Sequence, residues 1–200
     1  MNATSDIYSL IEPYSRYPHK TPEYVDAMLH EVPKAPVVVR EEYILQQCKD
    51  KRVVNFGSAS GALHEAIVAV AARAIGVDKN EPCDVTMDFE KTPHIKPAVP
   101  SGNDLLVCGE VLEHLSNPGR FLEALREFSL PVIITVPNAF SEAGRQNMLH
   151  GIENVNLDHV AFYSYWTLKG LVERHGFKID EFLYYNGKPC TAEGLIFKVT

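Results

Sequence analysis

From Lys51 onward the chain repeats one grammar: a short apolar run, a turn, then an amphipathic stretch of helical length. The runs are Arg52–Phe56, Ala74–Val77, Asp84–Met87, Leu105–Cys108 and Val132–Val136. Alternation of this kind is the signature of βαβ units and hence of a mainly parallel sheet. Val132-Ile133-Ile134-Thr135-Val136 is β-branched throughout, as suits a strand covered on both faces. Between the runs, Leu63–Ala72 has an alanine-rich helical face. Asn117-Pro118 opens a helix carrying Phe121, Leu122, Leu125 and Phe128, and Ser164 caps another that ends at Gly176. The end of the chain, Lys178–Tyr185 and Gly194–Val199 around Asn186-Gly187-Lys188-Pro189, reads as a hairpin that adds an antiparallel strand at the sheet edge.

Residues 1–50 have a different texture. Tyr8, Tyr14, Tyr17 and Tyr24 alternate with Pro13, Pro18 and Pro22, a helix is predicted from Thr21 through Met28, and a second from Val39 to Gln47. This stretch is expected to be a helical cap or lid on a domain spanning 51–200. With 200 residues in all, one sizeable core is the default. Lysine and arginine total 19 against 26 acidic residues, a net charge of −7, so no broad cationic surface is available for phosphate backbones and nucleic acid is not expected as a partner. No apolar run approaches the length of a bilayer span, and the first residues lack a basic stretch followed by an apolar core, so a cytoplasmic protein without membrane association is expected. Cys48, Cys83, Cys108 and Cys190 are far apart and contain no CxxC spacing, which points to free thiols. Oligomeric state is not legible.

The first turn after a strand carries glycine, Gly57-Ser58-Ala59-Ser60-Gly61, and Asp78 closes the following strand. Such a turn lets backbone approach a ligand, and an acid in that place suits a ribose diol. A dinucleotide fingerprint would require glycine at 59 and 62, and both are alanine. A nicotinamide dehydrogenase is therefore weakly supported.

Taken in order, VVNFGSASG at 53–61, Gly76-Val77-Asp78, Asp88, DLLVCGEVLEHL at 104–115, Ile134–Asn138, Asn156–His159 and Leu171–Phe177 resemble the class I S-adenosylmethionine-dependent methyltransferases that act on small metabolites. The resemblance implies a Rossmann-like three-layer sandwich with a mostly parallel seven-stranded sheet and an antiparallel C-terminal strand. It also implies S-adenosylmethionine as cofactor, held by Asn55, Gly57, Ser58, Ala59, Gly61, Asp78, Lys79, Asp88, Phe89 and Glu110. Asp78 falls at the ribose, Asp88 and Phe89 at the adenine, and Glu110 near the methionyl end. Asparagine at 55 and alanine at 59 depart from the family's usual acid and glycine, and 78–84 is short for a crossover helix. Those departures motivate a second possibility, a catalytically silent module that kept the fold.

Methyl transfer to a hydroxyl needs alignment and a means of removing a proton. Glu110, Glu113 and His114 stand at i, i+3 and i+4, which shares one face if the stretch is helical, and His159 follows in the Asp158-His159 segment. Two carboxylates and two imidazoles suit a divalent cation. The arrangement resembles the metal-assisted subset of the family, the ubiquinone-pathway O-methyltransferases and the small-RNA terminal 2′-O-methyltransferases, which implies Glu110, Glu113, His114 and His159 as ligands of magnesium, manganese or zinc. Without a metal, His159 or His114 is the candidate base, with Glu113 beside them. The expected function is methyl transfer to oxygen, or less favourably nitrogen, of a small polar metabolite such as a sugar, with an RNA-terminal 2′-O-methyltransferase as the alternative.

Overall fold

The β-branched run at 132–136 lies at the middle of an eight-stranded sheet of order β1-β7-β8-β6-β5-β2-β3-β4. The computed structural model describes residues 29–58, 61–92 and 94–200. The chain divides into two compact units, Met1–Val32 and Pro33–Thr200. Of the first, residues 29–32 are described and have no regular secondary structure, and the helix expected over 21–28 lies outside the described residues. The second contains, in chain order, β1 (Val37–Val38), α1 (Arg40–Cys48), β2 (Arg52–Phe56), α2 (Ala62–Val70), β3 (Arg73–Asp78) and β4 (Val85–Thr86). There follow β5 (Leu105–Gly109), α3 (Pro118–Arg126), β6 (Val132–Pro137), α4 (Glu142–Leu149), α5 (Tyr165–Arg174), β7 (Ile179–Tyr185) and β8 (Gly194–Val199). Single 3₁₀ turns form at Lys96–Ala98 and Leu112–His114.

Side-chain alternation builds three layers. Val54, Phe56, Leu106, Cys108, Ile134 and Val136 face one side, against Phe121, Leu122 and Leu125 of α3 and Leu168 and Val172 of α5. Their neighbours Val53, Leu105, Val107 and Ile133 face the other, against Tyr43, Ile44 and Cys48 of α1 and Ile67 of α2. Each fully buried aliphatic side chain contributes about 1.5–3 kcal/mol, so the central strands hold the fold together. Local signals end the helices. Asn117 Oδ1 accepts from the Arg120 N–H at 3.2 Å with Pro118 at the first helical position, Ser164 and Thr167 form a reciprocal capping box, and Gly176 closes α5 at φ +81°.

The sheet has eight strands where seven were expected. The extra one, β1, is a Val-Val pair between Pro36 and Arg40, too short to register as a run. It pairs parallel to β7, and the Tyr184 and Asn186 N–H groups donate to the Pro36 and Val38 carbonyls at 2.9 and 3.0 Å. The compact unit that holds the sheet therefore starts at Pro33 rather than Lys51, and β1 and α1 belong to it. After β3 there is no helix. Asp84 instead folds back on Gly76, donating its N–H to the Gly76 carbonyl at 3.0 Å and accepting the Gly76 N–H on Oδ2 at 2.7 Å. All four cysteines are free thiols. Among the described residues no helix is long and apolar enough to cross a membrane.

β8 alone runs antiparallel to its neighbours, so the carboxyl ends of every other strand lie along one edge of the sheet. Arg40, Gly57, Asp78, Glu110, Asn138 and Tyr185 all stand at or just past those ends. That edge is where ligands bind in open α/β sheets.

Candidate active site

Gly57 leaves β2 at φ +72°, a region closed to most side chains, and a Cβ there would collide with the Val111 side chain. The turn is thus wedged against the segment after β5. Ser58 is buried and has no partner for its Oγ among the described residues, and Gly61 provides the N-cap of α2; Ala59 lies outside the described residues. Asp78, also buried, accepts the Asn80 N–H on Oδ1 at 2.8 Å, an Asx-type turn that fixes the carboxylate at the end of β3. Lys79 beside it is exposed. Asp88 accepts the Glu90 N–H at 3.0 Å and pairs with Lys91 at 2.7 Å, and the Lys91 hydrogen bond holds its carboxyl below the usual range. Phe89 packs inward, its ring 4.8 Å from that of Phe121 and 5.9 Å from that of Phe56.

Asn55, where an acid was the family expectation, is buried and meets a residue that sequence reasoning left unassigned. Its Nδ2 donates to His64 Nδ1 at 3.3 Å, and His64 Nε2 is 3.9 Å from Asp84. A Cβ at Gly76 would press on both the Ser58 hydroxyl and the His64 ring, so glycine lets these two side chains pack against β3.

At the other half of the edge, the expected helical face at 110–114 does not form. Glu110 sits at φ +55° and only Leu112–His114 make a turn, so the i, i+3, i+4 relation does not apply. What assembles instead is a three-residue group. Ligand-capable atoms of Glu113, His114 and His159 all lie within 4.8 Å of one another. Backbone pairing brings them together across the chain: the Glu113 carbonyl accepts from Val160 and Ala161 N–H at 2.8 and 3.2 Å, and His114 Nδ1 donates to the Asp158 carbonyl at 3.2 Å. The two imidazoles meet edge-on with centroids 4.6 Å apart. Tyr163 supports the turn from below, donating its hydroxyl to the Leu112 carbonyl at 3.2 Å.

Glu113 is 1% exposed, and among the described residues neither of its carboxylate oxygens has a hydrogen-bond partner. A buried, unpartnered carboxylate is costly, and native interiors avoid it unless something else engages the group. Burial, reinforced by the charge of Glu110, pushes its pKa up to about 8. Burial and the neighbouring His114 lower His159.

Glu110, expected as a fourth member, is not part of this group. Its Oε1 accepts from Thr135 Oγ1 at 2.8 Å and Tyr185 Oη at 3.0 Å and lies 3.4 Å from the Arg40 guanidinium. Arg40 and Tyr185 were not anticipated, and no motif flags them, because β1, α1 and β7 bring them to Glu110 from opposite ends of the chain. Asn138 is also committed to structure: its Nδ2 donates to the Cys190 and Ala192 carbonyls and its Oδ1 accepts from Phe140.

Comparison with known proteins decides the family. A methyltransferase-domain family model matches residues 28–181, most of the chain. The chain belongs to the class I S-adenosylmethionine-dependent methyltransferases. Among curated proteins, this methyltransferase is 24% identical over 152 residues to the ubiquinone biosynthesis O-methyltransferase of Pseudoalteromonas translucida, covering 65% of the chain and 64% of that relative. It thus spans just under two thirds of the relative's length. Among solved structures, the small RNA methyltransferase HEN1 matches at 19% identity and a TM-score of 0.63, over 86% of this chain and 26% of that one. Magnesium protoporphyrin IX methyltransferase from Synechocystis PCC 6803, solved with bound S-adenosylhomocysteine, matches at 12% identity and a TM-score of 0.59, over 80% of each chain. At these identities the solved structures speak for the fold alone. Membership points to S-adenosylmethionine, not a nicotinamide dinucleotide, as the cofactor of this fold.

Proposed function

We propose that this methyltransferase transfers a methyl group to a hydroxyl oxygen of a small polar metabolite, with a divalent cation held by Glu113, His114 and His159. The observation that carries the metal is the orphaned Glu113 carboxylate beside two imidazoles. Among the described residues nothing satisfies it, and a cation would. A carboxylate and two imidazoles form a mixed oxygen–nitrogen donor set that suits first-row divalent ions. Such an ion would lower the pKa of a coordinated hydroxyl and orient two neighbouring acceptor oxygens.

S-adenosylmethionine supplies an already activated methyl group on a cationic sulfonium. The protein's own part is therefore alignment. In this reading the Gly57–Gly61 turn takes the amino-acid and ribose portion, and Asp78 accepts the ribose hydroxyls. Asn55, with its side chain turned to His64, supports that turn from inside the sheet. His159, whose pKa is lowered by burial and by the neighbouring His114, is suited to bind the cation or to take up the acceptor's proton.

The net charge of −7 favours a small acceptor over an RNA end, since counter-charge for phosphates is lacking. The similarity to an O-methyltransferase of ubiquinone biosynthesis supports oxygen as the target. The test is transfer of a radiolabelled methyl group from S-adenosylmethionine to a panel of vicinal-hydroxyl metabolites and to a short RNA with a free 3′ end, with manganese or with chelator. Label on a small acceptor that disappears with chelator supports the proposal. Label on RNA alone, or equal turnover in chelator, overturns it.

A further inference from the structure

The Glu110 carboxylate has an unusual number of fixed partners for a group one turn from a proposed metal centre. Thr135 and Tyr185 donate hydroxyl hydrogens to the same oxygen, and Arg40 adds its charge at 3.4 Å while its guanidinium lies 5.5 Å over the Tyr185 ring. The backbone cooperates. Glu110 takes φ +55°, an uncommon conformation for a non-glycine residue, and its N–H is tied to the Thr135 carbonyl at 2.9 Å. The sequence also makes room for the arrangement. Gly194 stands opposite Tyr185 in the β7–β8 ladder, and a Cβ there would overlap the tyrosine ring, so glycine is what lets the ring lie across β8 toward Glu110.

We propose that Arg40 and Tyr185 are positioning residues that hold the Glu110 carboxylate out of the cation's coordination sphere. The centre then takes three protein ligands and leaves its other positions to acceptor oxygens. This rests on the metal reading above and sharpens it. With one carboxylate and two neutral imidazoles, a doubly charged ion keeps a net charge of about +1 to act on the acceptor hydroxyl. A second carboxylate would cancel that charge and fill a further position. Glu110 is only three residues from Glu113, so what keeps it apart is the set of partners that hold it.

The test is calorimetric titration of the full chain with Mn²⁺ for the wild type and for E110Q, Y185F, R40M, E113Q and H159A, with circular dichroism to check folding. E113Q and H159A should weaken Mn²⁺ binding about a hundredfold, and E110Q should stay within about threefold of wild type. Y185F and R40M free Glu110 to turn in and should tighten binding about tenfold, because affinity for a divalent ion rises with the charge count of the ligand set. A gain in affinity is a readout that simple structural damage does not produce. Y185F keeps the ring against Gly194, so it serves if R40M fails to fold. The latch is overturned if E110Q loses Mn²⁺ as fully as E113Q, or if Y185F binds no tighter than wild type. A wild-type chain that binds no Mn²⁺ overturns the metal reading and the latch together, and is thereby distinct from failure of the latch alone.

Discussion

The two halves of the sheet edge are built on opposite plans. At the β2–β4 half, Asp78 and Asp88 find partners within a few residues of themselves, Asp78 in Asn80 and Asp88 in Glu90 and Lys91. At the β5–β7 half, Glu110 is satisfied by residues 25 and 75 positions away, and Glu113 is not satisfied at all. A locally closed site keeps its shape whatever binds. A site closed by distant strands, with one carboxylate left bare, is poised for a ligand that completes it.

Mutations can break that contrast in a graded order. The largest effect is expected for Gly57→Ala, which forces a Cβ into Val111 at a positive φ. It should cost about 3 kcal/mol in chemical denaturation, from overpacking plus the left-handed penalty, and abolish S-adenosylhomocysteine binding in calorimetry. Wild-type stability and affinity would show that the turn is not wedged.

Next is Glu113→Gln in metal-free protein. Its folded pKa, about 8, lies above the ordinary 4.5, so between these values the folded state binds the extra proton. Stability attributable to this group is greatest at low pH and falls as pH rises through that window. Glutamine cannot ionise. The variant should match wild type near pH 4 and exceed it at pH 8.5 by on the order of 2 kcal/mol, or about 5 °C in melting temperature. A gap that does not widen with pH would mean that Glu113 is not held protonated.

At the locally closed half, Asp78→Asn keeps an oxygen for the Asn80 N–H but removes the charge. S-adenosylhomocysteine affinity should fall about tenfold, the scale of one charge-assisted hydrogen bond, with little change in melting. Smallest is Ser164→Ala, which removes the side-chain cap of α5. It should cost about 1 kcal/mol and leave cofactor affinity unchanged. An affinity loss there would mean that α5 is coupled to the site.

The same contrast explains what could be read in advance. Asn117, Ser164 and Gly176 carry their structural meaning in their own side chains or lack of one, and each does in the structure what its local pattern predicts. Glu113, His114 and His159 stand out in the sequence as candidate ligands, but their geometry does not: the spacing of Glu110, Glu113 and His114 suggests a helix that the backbone at Glu110 does not make. Arg40 and Tyr185 were not legible, because β1 is two residues long and Tyr185 ends an edge-hairpin strand with no motif around it. His64 was missed for the same reason, its partner Asn55 lying on another element.

By itself the sequence determined the alternating elements, the family, the turn at Gly57 and the acid at the end of β3, since these follow from residue period and from groups that close locally. Only the tertiary structure decided that β1 joins the sheet, that Glu110 is claimed by Arg40, Thr135 and Tyr185, and that Glu113 is left bare between two histidines. Those outcomes depend on which strand ends become neighbours, and strand order is set by packing over the whole sheet rather than by any single stretch of chain.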